Sequence, residues 1–258
     1  MTDLARVWIM SADRPAPEAG RCLDVLDDGE RARAAEILGE RDRRQYTIAH
    51  GALRMLVAGE LGVTPGELRW ERGRYGKPTL ATPWPGLSTS VSHSGELVAV
   101  AIARGRDVGV DIQRLAPRLD VVAMSARFYP SDEAAYVAAV GDDRVRTERF
   151  TGLWCRKEAV VKAAGGRLWP NLGIEVLGCE VVRCAEPAGA YRVADVPAPA
   201  GYRAAVALAG EAAFAARAEA WPGAVGSDIG SLGVVRGAMA TQSTPVVSRC
   251  LAFEADEA

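Results

Sequence analysis

The chain has 258 residues, enough for one large domain or two small ones. Its formal net charge of -2 provides no overall basic field, which argues against nucleic acid or an anionic membrane as the main partner. Five cysteines without a Cys-x-x-Cys pair, and only two histidines, argue against a zinc site.

The first residues, MTDLARVWIM, lack the basic head and the long apolar run of a signal peptide. No stretch of the chain has the length and apolar character of a membrane span. An odd number of cysteines is typical of reduced thiols. We therefore expect a cytoplasmic protein that has no membrane partner.

The first half predicts a strand, a long helical region and then several short strands. Residues 6–10 predict the first strand, and apolar residues at helical spacing predict helix over residues 28–61. Turns rich in Gly, Pro and Ser separate the later strand-like runs, at residues 68–71, 87–91, 97–103 and 108–112.

The second half repeats this order. A helix is expected from Ser131, with that serine as its N-cap, and a longer helix over residues 142–164, ended by Gly165 and Gly166. Strands are expected at residues 174–183, 191–196, 202–208 and 213–218. The repeated order predicts an α+β fold with two pseudo-symmetric halves, residues 1–108 and 109–221, each a long helix on a small antiparallel sheet. Residues 222–258, rich in Gly, Ala and Ser, predict a loosely ordered tail.

The run Gly109-Val110-Asp111-Ile112-Gln113 combines a strand pattern with an acid. In a strand, Val110 and Ile112 point to one face, and Asp111 and Gln113 point to the other. A carboxylate on an apolar strand costs desolvation free energy unless a partner compensates it, and a hard cation is one such partner. A cap at the end of a strand or turn is the alternative, and this run alone favours the cap.

A helical segment of the second half contains two of the three lysines in the chain. Trp154, Glu158 and Lys162 are spaced by four residues and share one helix face, and Lys157 immediately precedes Glu158. A surface ion pair between Glu158 and Lys162 would be worth only about 0.3–0.5 kcal/mol. The tryptophan on the same stripe indicates instead a partly buried carboxylate beside a lysine, which suits metal binding and proton transfer.

Two turns offer donors to an anion. Lys77, between Gly76 and Pro78, is the third lysine, and a compact ammonium group suits phosphate. Ser92 and His93, at the end of a predicted strand, supply a hydroxyl and an imidazole. Each turn could equally be a solvated polar turn.

Arginines cluster at the start of the first long helical region, and some of them could form an electropositive rim for a multiply charged nucleotide. At least half are expected to lie on a solvated face. The cluster comprises Arg41, Arg43, Arg44 and Arg54.

In this order, the segments resemble the phosphopantetheinyl transferase superfamily, most closely its two-halved, surfactin-synthetase-activating type. The Gly-Val-Asp-Ile-Gln and Trp-x-x-Lys-Glu-Ala-x-x-Lys motifs lie about forty residues apart, as in that family. Tyr-Gly-Lys-Pro and Ser-His-Ser match its segments that contact coenzyme A. The resemblance covers roughly residues 31–208. It implies a holo-acyl-carrier-protein synthase, which transfers 4′-phosphopantetheine from coenzyme A to a carrier serine in a cleft between the two halves.

The resemblance also implies roles for single residues. Asp111 and Glu158 would bind Mg²⁺, and Gln113, where many members have glutamate, would be a weaker ligand or leave its place to a water. Glu158 would act as general base, and Lys162 would stabilise charge on the phosphates as a catalytic residue. The remaining contacts with coenzyme A are expected from Arg41, Arg54, Lys77, Pro78, Ser92 and His93, and Lys157 would serve phosphate or carrier.

The implied partners are coenzyme A and acidic carrier domains of fatty acid, polyketide or nonribosomal peptide synthases. We expect a monomer, because one chain supplies both sides of the cleft. Basic and apolar residues of the segment 116–129 are candidates for the carrier dock, and an amphipathic connection packed on the second half is the alternative. Two other functions remain open, a magnesium-dependent diphosphate hydrolase and a non-catalytic module that binds coenzyme A or a carrier. No Gly-x-x-x-x-Gly-Lys-[Ser/Thr] loop supports a nucleotide hydrolase.

Overall fold

A computed structural model describes residues 3–73, 77–81, 84, 86–219, 221 and 234–236. The described helices are α1 (Ala16–Asp24), α2 (Asp28–Glu36), α3 (Glu40–Leu61), α4 (Val121–Phe128), α5 (Ser131–Ala138) and α6 (Asp143–Ala164). The described strands are β1 (Asp3–Ser11), β2 (Trp70–Arg72), β3 (Pro78–Leu80), β4 (Leu87–Ser94), β5 (Leu97–Arg104), β6 (Val108–Arg114), β7 (Val181–Ala185), β8 (Ala188–Val196), β9 (Tyr202–Ala209), β10 (Phe214–Glu219) and β11 (Val234–Arg236). The predicted α+β class is confirmed.

Two sheets dominate the fold. The first has five strands in the order β11-β10-β1-β5-β4, the second has four in the order β6-β9-β8-β7, and β2 and β3 form a separate ribbon. Neighbouring strands are antiparallel except β1 and β10, which run parallel. The first sheet therefore takes strands from beyond residue 109, and the pseudo-symmetry of the two halves remains a prediction. The tail predicted from residue 222 lies outside the described residues apart from β11.

The two longest helices, α3 and α6, have 22 residues each, and each ends at a glycine. Gly62 after α3 has φ 69° and Gly165 after α6 has φ 66°, a left-handed conformation that glycine adopts without steric cost. At its start, α6 is capped by Asp142, whose carboxylate accepts a hydrogen bond from Val145 N at 2.9 Å. Within the described residues, no helix has the length and apolar character to cross a bilayer.

Several element boundaries differ from the prediction. The single helix expected over residues 28–61 is two helices, because Ile37 and Gly39 have extended backbones that end α2 and begin α3. Pro130 rather than Ser131 stands at the N-cap of α5, without a side-chain cap. The pattern gave no prediction for α1, and α4 falls in the segment 116–129, the candidate carrier dock, for which no helix was predicted.

The α3 helix covers one face of the first sheet, and α6 covers one face of the second. Small and branched residues from both sheets fill the layer between their other faces. The inward face of β6 in this layer is Val108, Val110 and Ile112. The opposite face of β6, which carries Asp111 and Gln113, is therefore turned toward α6.

A row of serines on β4 joins the two sheets. Each hydroxyl oxygen accepts a hydrogen bond from a backbone N–H of β6 twenty residues further along the chain, at 3.0–3.4 Å. The four pairs are Ser88 with Val108, Ser90 with Val110, Ser92 with Ile112, and Ser94 with Arg114. The constant offset means that β4 and β6 run in the same direction, with side chains replacing a backbone ladder between them.

Gly109 lets α6 lie directly on β6. A Cβ atom at this position would meet Ala159 O at 2.0 Å and Ala163 N at 2.3 Å. Only a glycine leaves room for this contact between backbones. The contact brings the α6 side chains around Glu158 and Lys162 next to Asp111.

Candidate active site

Asp111 is at the centre of a buried polar cluster to which three elements contribute. Its Oδ1 accepts hydrogen bonds from Ser92 Oγ of β4 at 2.7 Å and from Lys162 Nζ of α6 at 2.8 Å. Lys162 Nζ also donates to Ser92 Oγ at 2.9 Å. The side chain of Asp111 is 1% exposed, so the ammonium of Lys162 compensates a carboxylate that water does not reach.

The second oxygen of this carboxylate, Asp111 Oδ2, is buried and has no hydrogen-bond partner within the described residues. An acceptor in this state costs free energy unless a donor or a cation satisfies it. The neighbouring Cys155 does not supply a charge. Burial, together with the negative charge of Asp111, raises the pKa of the Cys155 thiol well above its ordinary value, so it stays protonated.

Glu158 lies one helical turn before Lys162 and is half-buried. Burial raises the pKa of Glu158, the positive charge of Lys162 opposes the shift, and the negative charge of Asp111 adds to it. Within the described residues, the Glu158 carboxylate makes no hydrogen bond or ion pair with another side chain. The structure thus brings two acids from distant segments close enough for their charges to interact.

Asp111 and Glu158 together offer carboxylate oxygens to a magnesium ion. In the part of the chain that the structure describes, no three His, Cys, Asp or Glu side chains are grouped to hold a metal ion. Mg²⁺ typically takes only one or two carboxylates from a protein and completes its shell with waters and substrate phosphates. The Oδ2 of Asp111, which accepts no hydrogen bond, and the carboxylate of Glu158, which makes none with another described side chain, fit that pattern.

Gln113 lies on the same face of β6, two residues after Asp111. Its Oε1 accepts a hydrogen bond from Ser94 Oγ at 3.1 Å, and the side chain is half-buried. The structure therefore places Gln113 on the strand face of Asp111 with its amide oxygen already bonded once. A carbonyl oxygen has a second lone pair, so this bond alone does not prevent metal ligation.

A cavity of about 650 Å³ opens beside this cluster and is lined from both halves of the chain. Lys162 lines the cavity and also donates to Asp111, so it links the cavity to the acids. The other cationic or imidazole side chains on its wall are Arg33, His50, Lys77 and His93, and Pro78 lies beside Lys77. Asp27 and Glu30 also line the cavity, where Glu30 lies 3.5 Å from His50, and Arg33 pairs with Glu36 at 3.0 Å. The positive charge that suits an anionic ligand is therefore that of Lys77 and Lys162.

Two groups of this wall, His93 and Lys77, have lowered pKa values. Burial lowers the pKa of His93, and the positive charges of Lys162 and His50 lower it further. Burial also lowers the pKa of Lys77, against the opposing effect of Asp107. Lys77 Nζ donates to Ala163 O at 3.1 Å, near the negative end of the α6 dipole. Tyr75 and Gly76, which precede Lys77, lie outside the described residues.

Arg54 and Arg41, the two arginines expected to contact coenzyme A, contact other groups of the protein. The guanidinium of Arg54 is fully buried, where it pairs with Asp27, donates to Glu30 Oε2 at 2.5 Å and to Pro65 O at 3.0 Å. This placement does not support the expected contact of Arg54 with the 3′-phosphate end. Arg41 is exposed, lies 3.6 Å from Glu96 and lines a separate cavity of about 470 Å³.

Lys157 also lies away from the cavity. Its side chain is fully buried, its Nζ is 2.6 Å from Glu133 Oε2, and it donates to Ile174 O. The ammonium also sits 4.6 Å from the ring centre of Tyr129. These contacts do not support the expected role of Lys157 with phosphate or carrier.

The sequence pattern did not single out three residues that form prominent contacts in the structure, Tyr46, His50 and Glu133. Tyr46 and His50 stack with ring centres 4.0 Å apart on the cavity wall, and both lie on one face of α3 with Arg54. His50 could have been identified from the sequence, because it is the second of only two histidines and lies four positions before Arg54, on the same helix face. No local sequence pattern identifies Glu133, because its partners lie on another helix and in a loop.

Comparisons with known proteins agree with this geometry. The family model of the 4′-phosphopantetheinyl transferase superfamily matches residues 107–216, which include β6 and α6. The 4′-phosphopantetheinyl transferase HetI of Nostoc is 30% identical over 167 residues, which are 64% of this chain and 70% of that protein. The transferase AcpT of Escherichia coli is 34% identical over 103 residues, 40% of this chain and 52% of that protein. A phosphopantetheinyl transferase of Thraustochytrium is 32% identical over 167 residues, 60% of this chain and 56% of that protein. The chain therefore belongs to the 4′-phosphopantetheinyl transferase superfamily.

Proposed function

We propose that this protein transfers the 4′-phosphopantetheine group of coenzyme A to a serine of an acyl or peptidyl carrier protein. The observation that carries the proposal is the cluster of Asp111, Glu158 and Lys162 at the edge of a cavity that Lys77 also lines. Membership of the superfamily supports it. A holo-acyl-carrier-protein synthase of the surfactin-synthetase-activating type, acting as a cytoplasmic monomer, is the specific form that we propose.

Coenzyme A would bind in the 650 Å³ cavity, which has the size of sites that bury a small ligand. Lys77 and Lys162 supply positive charge to its phosphates. His93 has a lowered pKa, so at neutral pH it is uncharged and serves as a hydrogen-bond donor. Ser92, bonded to both Asp111 and Lys162, holds the direction of the Lys162 ammonium.

In the proposed reaction, the serine hydroxyl of the carrier attacks the β-phosphorus of coenzyme A. One P–O bond forms to the serine, the P–O bond to 3′,5′-ADP breaks, and Glu158 accepts the serine proton directly or through a water. The raised pKa of Glu158 suits this role, because a stronger base takes the proton more readily. Lys162 stabilises the charge that develops on the leaving phosphate.

Asp111 Oδ2 and Glu158 would hold Mg²⁺, with Gln113 as a weaker or water-mediated neighbour. When bound, the ion would neutralise charge on the diphosphate and orient it for in-line attack. Because no covalent enzyme intermediate is needed, most of the acceleration would come from positioning and electrostatics.

The carrier would dock on the exposed side of α4 and the turn before it. Val121 and Ser125 of α4 are buried on the second half, which leaves the exposed Arg118, Leu119 and Arg127 for a partner. Trp169, which is 70% exposed, extends this surface, since its ring centre lies 5.2 Å from that of Phe128. Basic and apolar groups together suit an acidic helical carrier.

Mass spectrometry of apo-carrier proteins incubated with coenzyme A and Mg²⁺ tests the proposal. We expect carrier serine to gain the mass of one phosphopantetheine, and Asp111→Ala and Glu158→Gln to abolish the gain. Gln113→Glu should retain activity, because a carboxylate at that position keeps a ligand oxygen. Glu148→Gln, on the same helix but paired with Arg144 and Arg203, is the matched control and should remain active.

The other outcomes identify the alternative functions. Release of 3′,5′-ADP without carrier modification would indicate a diphosphate hydrolase. Binding of coenzyme A or carrier without either reaction would indicate a non-catalytic module. Full activity of Asp111→Ala or Glu158→Gln would refute the two-acid site.

A further inference from the structure

The most deeply buried ion pair in the described part of the chain lies outside the cavity. It joins Lys157 of α6 to Glu133 of α5 at 2.6 Å, and the two side chains are 0% and 1% exposed. Each remaining polar contact of the pair goes to the loop that precedes β7. Glu133 Oε1 accepts from Val176 N at 2.6 Å and Leu177 N at 3.1 Å, and Lys157 donates to Ile174 O.

A buried ion pair is weak evidence for stability, since desolvation of two charges offsets much of their attraction. What this pair does fix is geometry. The Lys157 ammonium reaches Glu133, Ile174 O and the Tyr129 ring face together, and a rotation of α6 would break all three contacts. Residues 174–180, predicted as strand, are a loop in the structure, and the pair contributes to this because the N–H groups of Val176 and Leu177 bond to the Glu133 side chain instead of a neighbouring strand.

Lys157 and Glu158 are consecutive, so their side chains leave α6 about 100° apart around its axis. The helix is therefore held at two places near Glu158. On one side its backbone contacts Gly109 of β6, and on another Lys157 is held by Glu133. Both contacts oppose a rotation of this turn, and in this orientation the charges of Asp111 and Lys162 act on Glu158.

We propose that Lys157 and Glu133 are positioning residues that fix the rotation of α6 and thereby hold the Glu158 carboxylate beside Asp111. The proposal rests on the proposed transferase function, and it assigns both residues an indirect role without contact with substrate. Displacement of a catalytic group by about 1 Å can cost about 10²-fold in rate. Loss of the pair should therefore lower kcat, whereas the coenzyme A cavity, lined by other residues, should keep its affinity.

The test is steady-state kinetics of Lys157→Met and Glu133→Gln, measured at a temperature where circular dichroism shows each variant fully folded. Lys157→Met leaves Glu133 buried without its cation, and we expect its Tm to fall by about 10 °C. Glu133→Gln is milder, because its amide oxygen still accepts from Val176 N and Leu177 N, so it serves if Lys157→Met does not fold. In the folded variants we expect kcat to fall at least tenfold and KM for coenzyme A to stay within twofold.

Arg144→Met is the control on the same helix, since Arg144 is 79% exposed and pairs at 3.1 Å with Glu148, one turn further along α6. It should keep the kcat of the wild type, and an equal loss of kcat in this variant would overturn the specific role of the Lys157 pair. Wild-type kcat in the folded Lys157→Met and Glu133→Gln proteins would reduce the pair to a stabilising contact and overturn the proposal. A parallel rise in KM for coenzyme A would also overturn it, because Lys157 would then contact substrate.

Crystal structures of the wild type and Glu133→Gln give a readout that does not depend on activity. We expect the Glu158 carboxylate to move away from Asp111 by about 1 Å or more in the variant. An unmoved carboxylate would overturn the proposal. If the wild type itself transfers nothing, the proposed function fails, and this structural comparison still decides the positioning role.

Discussion

At the scale of single residues, the half-buried carboxylate of Glu158 lowers the stability of the fold at neutral pH but is needed for the proposed activity. Burial and Asp111 raise the pKa of Glu158, so the folded chain binds that proton more tightly than the unfolded chain. The stability this proton contributes is complete below the unfolded pKa and is lost as the pH rises through the folded pKa. Glu158→Gln has no charge to bury, and without Mg²⁺ at pH 7 we expect it to have a higher Tm than the wild type while its activity is lost. Thermal unfolding followed by circular dichroism measures the difference.

The advantage of Glu158→Gln should shrink as the pH is lowered through the folded pKa, because Glu158 is then protonated in the folded wild type as well. Glu148→Gln, in which an ion-paired surface carboxylate is removed, should give no such gain. A Tm gain that does not change with pH, or a lower Tm at pH 7, would contradict the placement of Glu158 beside Asp111.

Short motifs are enough to find Asp111, Glu158 and Lys162 from the sequence, because each motif lies within a single strand or helix. That they share one cluster with a Ser92 bond to Asp111 needs the fold. Arg54 could not be understood in this way. Its acidic partners, Asp27 and Glu30, lie before and in α2, and no local pattern distinguishes an arginine that pairs with acids of its own chain from one that binds a phosphate.

At the scale of elements, the contact of α6 with β6 depends on Gly109. A methyl group there would lie 2.0 Å from Ala159 O and 2.3 Å from Ala163 N, and backbone atoms cannot move aside as a flexible side chain can. We expect Gly109→Ala to lower the free energy of unfolding by about 3 kcal/mol or more and to separate α6 from Asp111, so that activity is lost. Urea unfolding of purified protein measures the change.

Gly152→Ala is the control on the same helix. A Cβ atom there meets nothing within 4 Å, and replacing a helical glycine by alanine stabilises a helix by up to about 1 kcal/mol. Equal stability of Gly109→Ala and the wild type would mean that α6 does not lie on β6 as described.

The sequence pattern predicted helix at both 22-residue helices because their apolar spacing is local, but it missed the break at residues 37–39, where no proline marks the boundary.

At the scale of the whole molecule, the sheets follow pairings that local patterns do not encode. The run at residues 213–218 reads correctly as a strand, but its partner is β1, about two hundred residues earlier in the chain. Strand pairing at such separations is decided by which edges the finished layers leave available. The predicted division at residue 109 likewise follows only the order of the elements along the chain. The first sheet contains strands from both sides of that residue.

The serine row between β4 and β6 decides whether the two sheets behave as one unit. Ser90 is the best position to test, since its hydroxyl accepts from Val110 N at 3.0 Å and, unlike Ser92, has no bond to Asp111. Ser90→Ala leaves the buried N–H of Val110 without an acceptor, and we expect a loss of about 1–3 kcal/mol in the free energy of unfolding.

Ser131→Ala, at an exposed hydroxyl whose only side-chain bond is a 3.5 Å contact with Asp132, should change the free energy of unfolding by less than about 0.5 kcal/mol. Urea unfolding monitored both by tryptophan fluorescence and by circular dichroism measures both variants. If the row couples the sheets, the wild type should unfold in one transition with both probes, and Ser90→Ala should shift that transition to lower urea. An unshifted transition would show that the apolar layer between the sheets, and not the serines, joins β6 to the half that lines most of the cavity.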